Sequence, residues 1–216
     1  MCFSATASFG ASAILTGIGI FAARKVTETQ QRAFAAIPII FAIQQFAEGF
    51  VWLSLTQASW AEWIRPSTFI FLFFAEVLWP MWLPFTMFLL EKDQRTRRVF
   101  RIAFALGFFF GMHSLYNLLS NTYDVRIADH HILYKLNFPL TFVVFTWIAY
   151  GMGTVMPSFL SSVPKMWIFG LPMALSFFVA LVFYPSYVIS VWCFFAALMS
   201  GFVVVVISRK GQQKNK

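Results

Sequence analysis

Side chains that can bind protons or metal ions occur within long apolar stretches of this sequence. Gln44, Gln45 and Glu48 stand in one such stretch at spacings of three and four, so a helix would place them on one face. Glu48 lies about seven residues from the end of its stretch, on the order of 10 Å deep at about 1.5 Å per residue. A carboxylate is costly in hydrocarbon, so it must face the interior, be paired or be protonated. Glu48 is therefore the candidate catalytic residue, as a general base.

Polar residues of three other apolar stretches fall at comparable depths. Glu76 is a second carboxylate, His113 and Asn117 stand four residues apart, and Cys193 is near the start of the last stretch. Thiolate, imidazole and carboxylate together are ligands that suit zinc, copper or iron. The shared depth therefore predicts one polar site toward one side of a membrane. Hydrogen bonding between helices remains the alternative explanation for Glu48, Glu76 and His113. For Cys193 the alternative is an inert, buried apolar side chain.

Further candidates lie in segments on the same side of the membrane. Cys2 precedes the first apolar stretch and, once the initiator methionine is removed, would offer an amine and a thiolate together. His130 and His131 stand in the long connection from Asn121 to Asn137, and one of them could fold back over the bundle. Cys2 and Cys193 could instead form a disulfide, because both would face an oxidising compartment. The candidate metal ligands are Cys2, His113, His130, His131 and Cys193.

Seven apolar stretches, each long enough to cross a bilayer, must position these candidates. Residues are 60% hydrophobic and 11% charged, whereas about a quarter are charged in a soluble domain. Backbone groups in lipid must be satisfied internally, so each stretch is expected to be a helix. The sequence therefore predicts an all-α, polytopic membrane protein with seven transmembrane helices in a single domain, residues 1–216. The predicted helices cover about residues 5–23, 33–55, 67–90, 99–120, 138–156, 166–184 and 187–208.

The net charge of +8 comes from basic residues at the ends of these stretches and not from one amphipathic face. This distribution excludes nucleic acid and makes the lipid bilayer the expected partner. Arg24 and Lys25 follow the first stretch, a larger basic group spans 92–101, and a third group follows the last stretch. Basic residues favour the cytoplasmic side, which predicts an N-terminus outside and a C-terminus inside the cell.

The opening Met-Cys-Phe-Ser-Ala-Thr-Ala-Ser-Phe resembles that of an uncharacterised bacterial family of integral membrane proteins, filed as a domain of unknown function. Members of that family open with Met-Cys-(Phe or Trp)-Ser. The likeness extends to Gln44-Gln45-x-x-Glu48-Gly49, to the stretch from His131 to Tyr134, and to Trp192-Cys193-x-x-Ala196-Ala197. The resemblance implies a seven-helix, multi-pass protein of the bacterial inner (plasma) membrane. It supports Cys2, Glu48, His131 and Cys193 as a set, and it implies no activity.

The leading functional hypothesis is a site for a transition metal (zinc, copper or iron) or haem, in an enzymatic, redox or sensing role. In an enzyme, the metal would activate water or substrate, and Glu48 would accept the proton. One rival is a proton-coupled transporter or channel that uses Glu48 and Glu76. Another is a structural or receptor subunit of a membrane complex, in which the polar residues only hold helices together. The sequence leaves open whether the protein is an enzyme and which ligand it binds. It also leaves open whether the protein forms a homo-oligomer.

Overall fold

The computed structural model describes residues 4–136 and 150–212 of the chain. Cys2 lies outside the described residues, as does most of the helix expected over 138–156. Residues 150–154 are helical, and they lead into a short further helix. The helices are α1 (Ala5–Arg24), α2 (Arg32–Ala35), α3 (Ile37–Thr56), α4 (Ile64–Leu72), α5 (Trp79–Leu90), α6 (Gln94–Ser120), α7 (Met156–Leu160), α8 (Trp167–Phe183), α9 (Val188–Met199) and α10 (Phe202–Gln212).

Helix ends follow local sequence signals. Ser4 caps α1, because its hydroxyl accepts a hydrogen bond from the backbone N–H of Ala7 at 3.2 Å. Asp93 caps α6 in the same way, accepting from the N–H of Thr96 at 2.8 Å. Pro38 stands in the first turn of α3, where a missing N–H costs nothing. The proline therefore starts that helix and does not interrupt it.

Five helical rods within the described residues are long and apolar enough to cross a membrane, which indicates a membrane protein. They are Ala5–Arg24, Thr29–Thr56, Ala58–Leu90, Gln94–Ser120 and Val188–Ser208. Helix α8 is apolar but has only 17 residues. The all-α class fits this architecture, whereas seven spans and the N-out, C-in orientation stay predictions.

The bundle has two distinct ends. At the basic end, the connection after α1 meets the connection between α5 and α6, and Thr27, Glu91 and Lys92 line a shared polar pocket of about 640 Å³. At the other end, α6 leads into a pair of strands, β1 (Tyr123–Ala128) and β2 (His131–Leu136). We refer to this second end as the hairpin end.

The long connection that begins at Asn121 contains a β-hairpin, which the sequence analysis did not predict. Strands β1 and β2 pair antiparallel, with Ala128 opposite His131. The two residues between them, Asp129 and His130, have φ angles of 47° and 63°. Positive φ at both positions is the geometry of a tight two-residue hairpin turn, and aspartate tolerates it better than most residues.

The rod that contains Glu76 changes its helical register at that residue. Between α4 and α5, Phe73–Leu78 forms a π-helical segment, and the N–H of Trp79 donates to the carbonyl of Phe74, five residues back. The next donor in this register would belong to Pro80, which has no N–H. The carbonyl of Ala75 is instead satisfied by the Tyr150 hydroxyl at 2.6 Å. A neighbouring segment therefore compensates for the proline.

Helix α6 packs closely on this rod through two glycines. A Cβ atom on Gly107 would lie 2.0 Å from the carbonyl oxygen of Pro80, and one on Gly111 would lie 2.8 Å from that of Val77. Pro84 has no N–H to offer the Pro80 carbonyl, so this oxygen lacks its usual helical donor. Glycines four residues apart allow such close helix contacts within membranes.

The buried apolar residues form two clusters. The larger lies in the middle and basic half of the bundle and includes Phe34, Phe41 and Trp79. The smaller lies under the hairpin, where Ile132 and Tyr134 of β2 pack against Val51, Phe71 and Cys193. Because it buries one face of β2, the smaller cluster fixes the hairpin over the ends of α3, α4 and α9.

Candidate functional site

Glu48 lies in the bundle interior, with no exposed surface. Its carboxylate accepts a hydrogen bond from Gln45 Nε2 at 3.1 Å and another from Ser190 Oγ at 2.7 Å. Gln45 precedes Glu48 by three residues on α3, which places both side chains on one face. Ser190 belongs to α9, so this contact joins two helices that are remote in sequence.

Cys193 stands one helical turn after Ser190 and is a buried, free thiol. It lies near the Glu48 carboxylate and beside the side chain of Gln44. The Gln44 carbonyl oxygen accepts a hydrogen bond from Trp79 Nε1 at 2.7 Å, which fixes the orientation of the amide. Gln44 and Glu48 on α3 therefore face Cys193 and Ser190 on α9.

Tyr134 covers this group from the hairpin side. Its ring stacks on Phe71 with centroids 4.9 Å apart, and its phenol lies near Glu48 and Cys193. Burial, and then the nearby acidic groups, raise the pKa of Tyr134 well above its ordinary value. The phenol therefore stays protonated at neutral pH and can donate a hydrogen bond. We refer to Gln44, Gln45, Glu48, Tyr134, Ser190 and Cys193 as the polar cluster.

Three buried polar atoms of the cluster have no hydrogen-bond partner among residues 4–136 and 150–212. They are Gln44 Nε2, Gln45 Oε1 and the Tyr134 hydroxyl. Buried polar groups are rarely left unsatisfied, and each exception calls for a water, an ion or a functional explanation. Two donors and one acceptor therefore remain available in a cluster that is closed to bulk water.

The cluster also lacks a basic side chain. No lysine or arginine is buried among residues 4–136 and 150–208. The donors to Glu48, Gln45 and Ser190, are both neutral. An ionised carboxylate at this position would therefore lack a positive counter-charge, which is costly in a low-dielectric interior.

Glu76 is buried nearby in the π-helical segment. Tyr150 lies close to both Glu76 and Cys193, so it connects this carboxyl to the polar cluster. Its carboxylate accepts no hydrogen bond from any described residue. π-helical segments often mark functional positions. Glu76 thus adds a second buried carboxylate next to the polar cluster.

His113 and Asn117 do not join the cluster. His113 lies on the exposed side of α6, and Asn117 Nδ2 lies 2.9 Å from its Nε2. Asn121 continues this stripe through a hydrogen bond to Asn117 at 3.2 Å. The depth of His113 matched that of Glu48 in the sequence, but its rotation about the helix axis takes it to the outer surface.

The two loop histidines also lie apart from the cluster. His130 is exposed in the hairpin turn. The His131 ring packs against Tyr184 and Tyr187, with centroid distances of 5.1 and 5.0 Å. Strand alternation puts His131 and Tyr134 on opposite faces of β2. The face that meets Glu48 is therefore the one with Tyr134.

Tyr134 and Ser190 are the two members of the cluster that the sequence analysis did not single out as site residues. Ser190 gave no clear signal, because a serine in an apolar helix most often bonds to its own backbone. An alternation of polar and apolar residues over 131–136 was the available signal for Tyr134, since it predicts one buried face. In the described part of the chain, no three His, Cys, Asp or Glu side chains are grouped closely enough to hold a metal ion.

Comparisons with known proteins supply a family and no activity. No curated protein and no solved structure matches the chain. The model of the family of unknown function DUF6629 matches residues 1–216, as the resemblance to an uncharacterised family predicted, and the chain belongs to that family.

Proposed function

We propose that the protein binds a transition-metal cation at the polar cluster, between the Cys193 sulfur and the Glu48 carboxylate. The observation that carries this proposal is the buried Glu48 carboxyl, which has two neutral hydrogen-bond donors and no basic partner, next to a free thiol. A bound cation would supply the positive charge that no buried lysine or arginine within residues 4–136 and 150–208 provides. A thiolate and a carboxylate together favour zinc, copper or iron over magnesium or calcium.

The unpartnered atoms of the cluster support this role. Gln44 Nε2 lies beside Cys193, where it could donate a hydrogen bond to a thiolate. The Tyr134 hydroxyl could donate to a metal-bound water or to a ligand anion. Cys2, which is outside the described residues, is the further ligand that the proposal requires. Cys2 is the other cysteine of the sequence, and the helix that follows it, α1, begins at Ala5, which packs against the apolar cluster under the hairpin.

The metal content of the purified chain tests the proposal. We expect roughly one ion per chain by elemental mass spectrometry, with strong losses in Cys193→Ser, Glu48→Gln and Cys2→Ala. Glu62→Gln is the matched control, because Glu62 is exposed in the turn before α4. It should keep the full metal content. Equal metal content in all five proteins would refute the site, provided that each variant keeps the thermal unfolding profile of a folded protein.

A second candidate function is proton-coupled transport or a proton-conducting channel. The observation that favours it is Glu76, a buried carboxylate without a hydrogen-bond donor among the described residues. Carboxylates inside a bundle commonly mark proton pathways. This function predicts pH-driven flux in liposomes that Glu76→Gln abolishes and that chelators leave unchanged. Flux that is absent, or insensitive to Glu76→Gln, contradicts it.

A further inference from the structure

An apolar groove lies on the flank of α6, in the half of the bundle toward the basic end. It has a volume of about 360 Å³ and is bounded by α6, by Pro80 of α5 and by residues 152–160. This volume is within the range of small-molecule sites, roughly 300–1,000 Å³. The lining side chains include Val99, Ala103, Leu106, Phe110, Met152 and Met156.

The floor of the groove is set by backbone contacts. Gly107 lies against the Pro80 carbonyl, and Gly153 faces the same oxygen from the other wall, where a Cβ would be 3.9 Å away. Because Gly107 and Gly153 have no side chains, the space between α6 and residues 152–160 stays unfilled at this point. The groove is thus a consequence of proline and glycine positions and not of flexible side chains.

A single stripe of α6 combines this apolar wall with a cation. Arg95, Val99, Ala103, Leu106 and Phe110 follow one another at spacings of three and four, so they lie on one side of the helix. All but Arg95 line the groove. Arg95 is exposed one turn beyond Val99, at the basic end.

Asp93, two residues before this arginine, has hydrogen-bond donors of its own. Asp93 accepts hydrogen bonds from both the N–H and the hydroxyl of Thr96, each at 2.8 Å. These bonds hold the pKa of Asp93 below its ordinary value and fix its carboxylate at the cap of α6, and the backbone N–H and charge of Arg95 lower that pKa further. Arg95 forms no salt bridge with any described residue, and its exposed guanidinium can also meet an external anion.

We propose that the groove binds one acyl chain of an anionic phospholipid from the leaflet at the basic end, with the headgroup phosphate at Arg95. Because α6 is a candidate membrane span, hydrocarbon is the medium that its exposed apolar surface meets. The acyl chain of such a lipid would pack in the apolar groove, and its negatively charged phosphate would then lie beside the Arg95 guanidinium. Basic sites between membrane helices on this side are typical for anionic headgroups. This inference is independent of the polar cluster.

Lipid titration of the full-length chain, delipidated in detergent and followed by native mass spectrometry, tests the proposal. Phosphatidylglycerol should bind more tightly than phosphatidylcholine with the same acyl chains. Ala103→Trp fills the groove and should abolish this preference. Its matched control is Ala105→Trp, which adds the same side chain to an exposed position of α6 outside the groove. Ala103→Phe provides a smaller obstruction if the tryptophan variant does not fold.

The headgroup contact is tested separately. Arg95→Gln should weaken phosphatidylglycerol binding by about fivefold and leave phosphatidylcholine unchanged. Arg24→Gln, at the same end of the bundle on α1, should have no effect. The proposal is overturned if Ala103→Trp and Ala105→Trp bind phosphatidylglycerol equally. The proposal is also overturned if the purified chain retains a different apolar molecule in the groove. The same holds if the chain is a dimer in which a second copy covers the groove.

Discussion

The Ser190 hydroxyl on α9 donates a hydrogen bond to the Glu48 carboxylate on α3, at 2.7 Å. Ser190→Ala removes this donor and leaves a buried acceptor with one partner fewer. We expect the free energy of unfolding to fall by about 1–3 kcal/mol. Denaturant titration in detergent micelles measures this loss.

Ser54→Ala is the matched control for that substitution. Ser54 is also buried, but its hydroxyl donates only to the Phe50 carbonyl on its own helix, at 2.7 Å. Its removal should change the free energy of unfolding much less. Equal losses in both variants would mean that the Ser190–Glu48 contact does not join the helices energetically.

At the scale of elements, one added methyl group should destabilise the contact between α6 and the rod Ala58–Leu90. Gly107→Ala would place a Cβ against the Pro80 carbonyl oxygen, 2.0 Å away, so the helices must separate. Overpacking of this kind costs about 1–3 kcal/mol of unfolding free energy. Thermal unfolding in detergent is the measurement.

The opposite result is expected at a glycine with open space. No atom lies within 4 Å of a Cβ added to Gly10 on α1. Gly10→Ala should therefore stabilise the chain by up to about 1 kcal/mol, through the better helix propensity of alanine. A shift of the same sign and size in both variants would contradict the close helix contact.

The hairpin should undock more readily in acid. Burial lowers the pKa of His131, whose ring packs against Tyr184 and Tyr187; Asp129 nearby opposes this shift and His130 adds to it. The folded state therefore binds fewer protons than the unfolded state. This contribution to stability is present above the ordinary histidine pKa of 6.5 and is lost as pH falls through the folded value.

Amide hydrogen exchange of β1 and β2 measures this effect. Exchange should accelerate as pH falls from about 7 to about 5, after correction for the intrinsic rate. His131→Phe should remove most of that dependence, and His130→Gln, in the exposed turn, should keep it. A pH profile that is identical in His131→Phe and the unmodified chain would rule out His131 as the titrating group.

The helical rods were predictable, whereas the hairpin and the rotation of the helices were not. Apolar length alone gave α1 and the rods Thr29–Thr56 and Val188–Ser208 within a few residues, because lipid leaves the backbone few alternatives. The two strands are short, and their turn has Asp-His where the strongest signal would be Asn-Gly. Depth along a helix could be counted from the sequence, and it grouped Glu48 with Cys193. The direction of a side chain depends on packing, so His113 was grouped with them too.

At the scale of the whole molecule, Glu91 connects two separate turns at the basic end. Its carboxylate accepts from the N–H groups of Lys92, Asp93 and Ser162 at 2.9, 3.1 and 2.8 Å. The hydroxyls of Ser161 and Ser162 also donate to it. Burial by itself would raise the pKa of Glu91, but the donors, with Ser162 first, together lower it.

A lowered pKa means that Glu91 stabilises the fold only while it is ionised. This contribution is present above the ordinary glutamate pKa of 4.5 and is lost as pH falls through the folded value. Between about pH 6 and about pH 3, Glu91→Gln should therefore lose less unfolding free energy than the unmodified chain. Chemical denaturation at both pH values measures this. Glu62→Gln, at an exposed site, should retain the full acid sensitivity, and a Glu91→Gln profile that matches it would exclude this role.

The two-stranded hairpin also affects how the protein meets other molecules at the hairpin end. Within the described residues each strand has a single neighbour, so one backbone edge of β1 and one of β2 remain open. Open edges invite strand addition by other chains. Asp124 and Arg126 on β1 and Lys135 on β2 are exposed charges beside these edges. They would make unwanted intermolecular pairing unfavourable while the apolar face of the sheet stays buried against the helices.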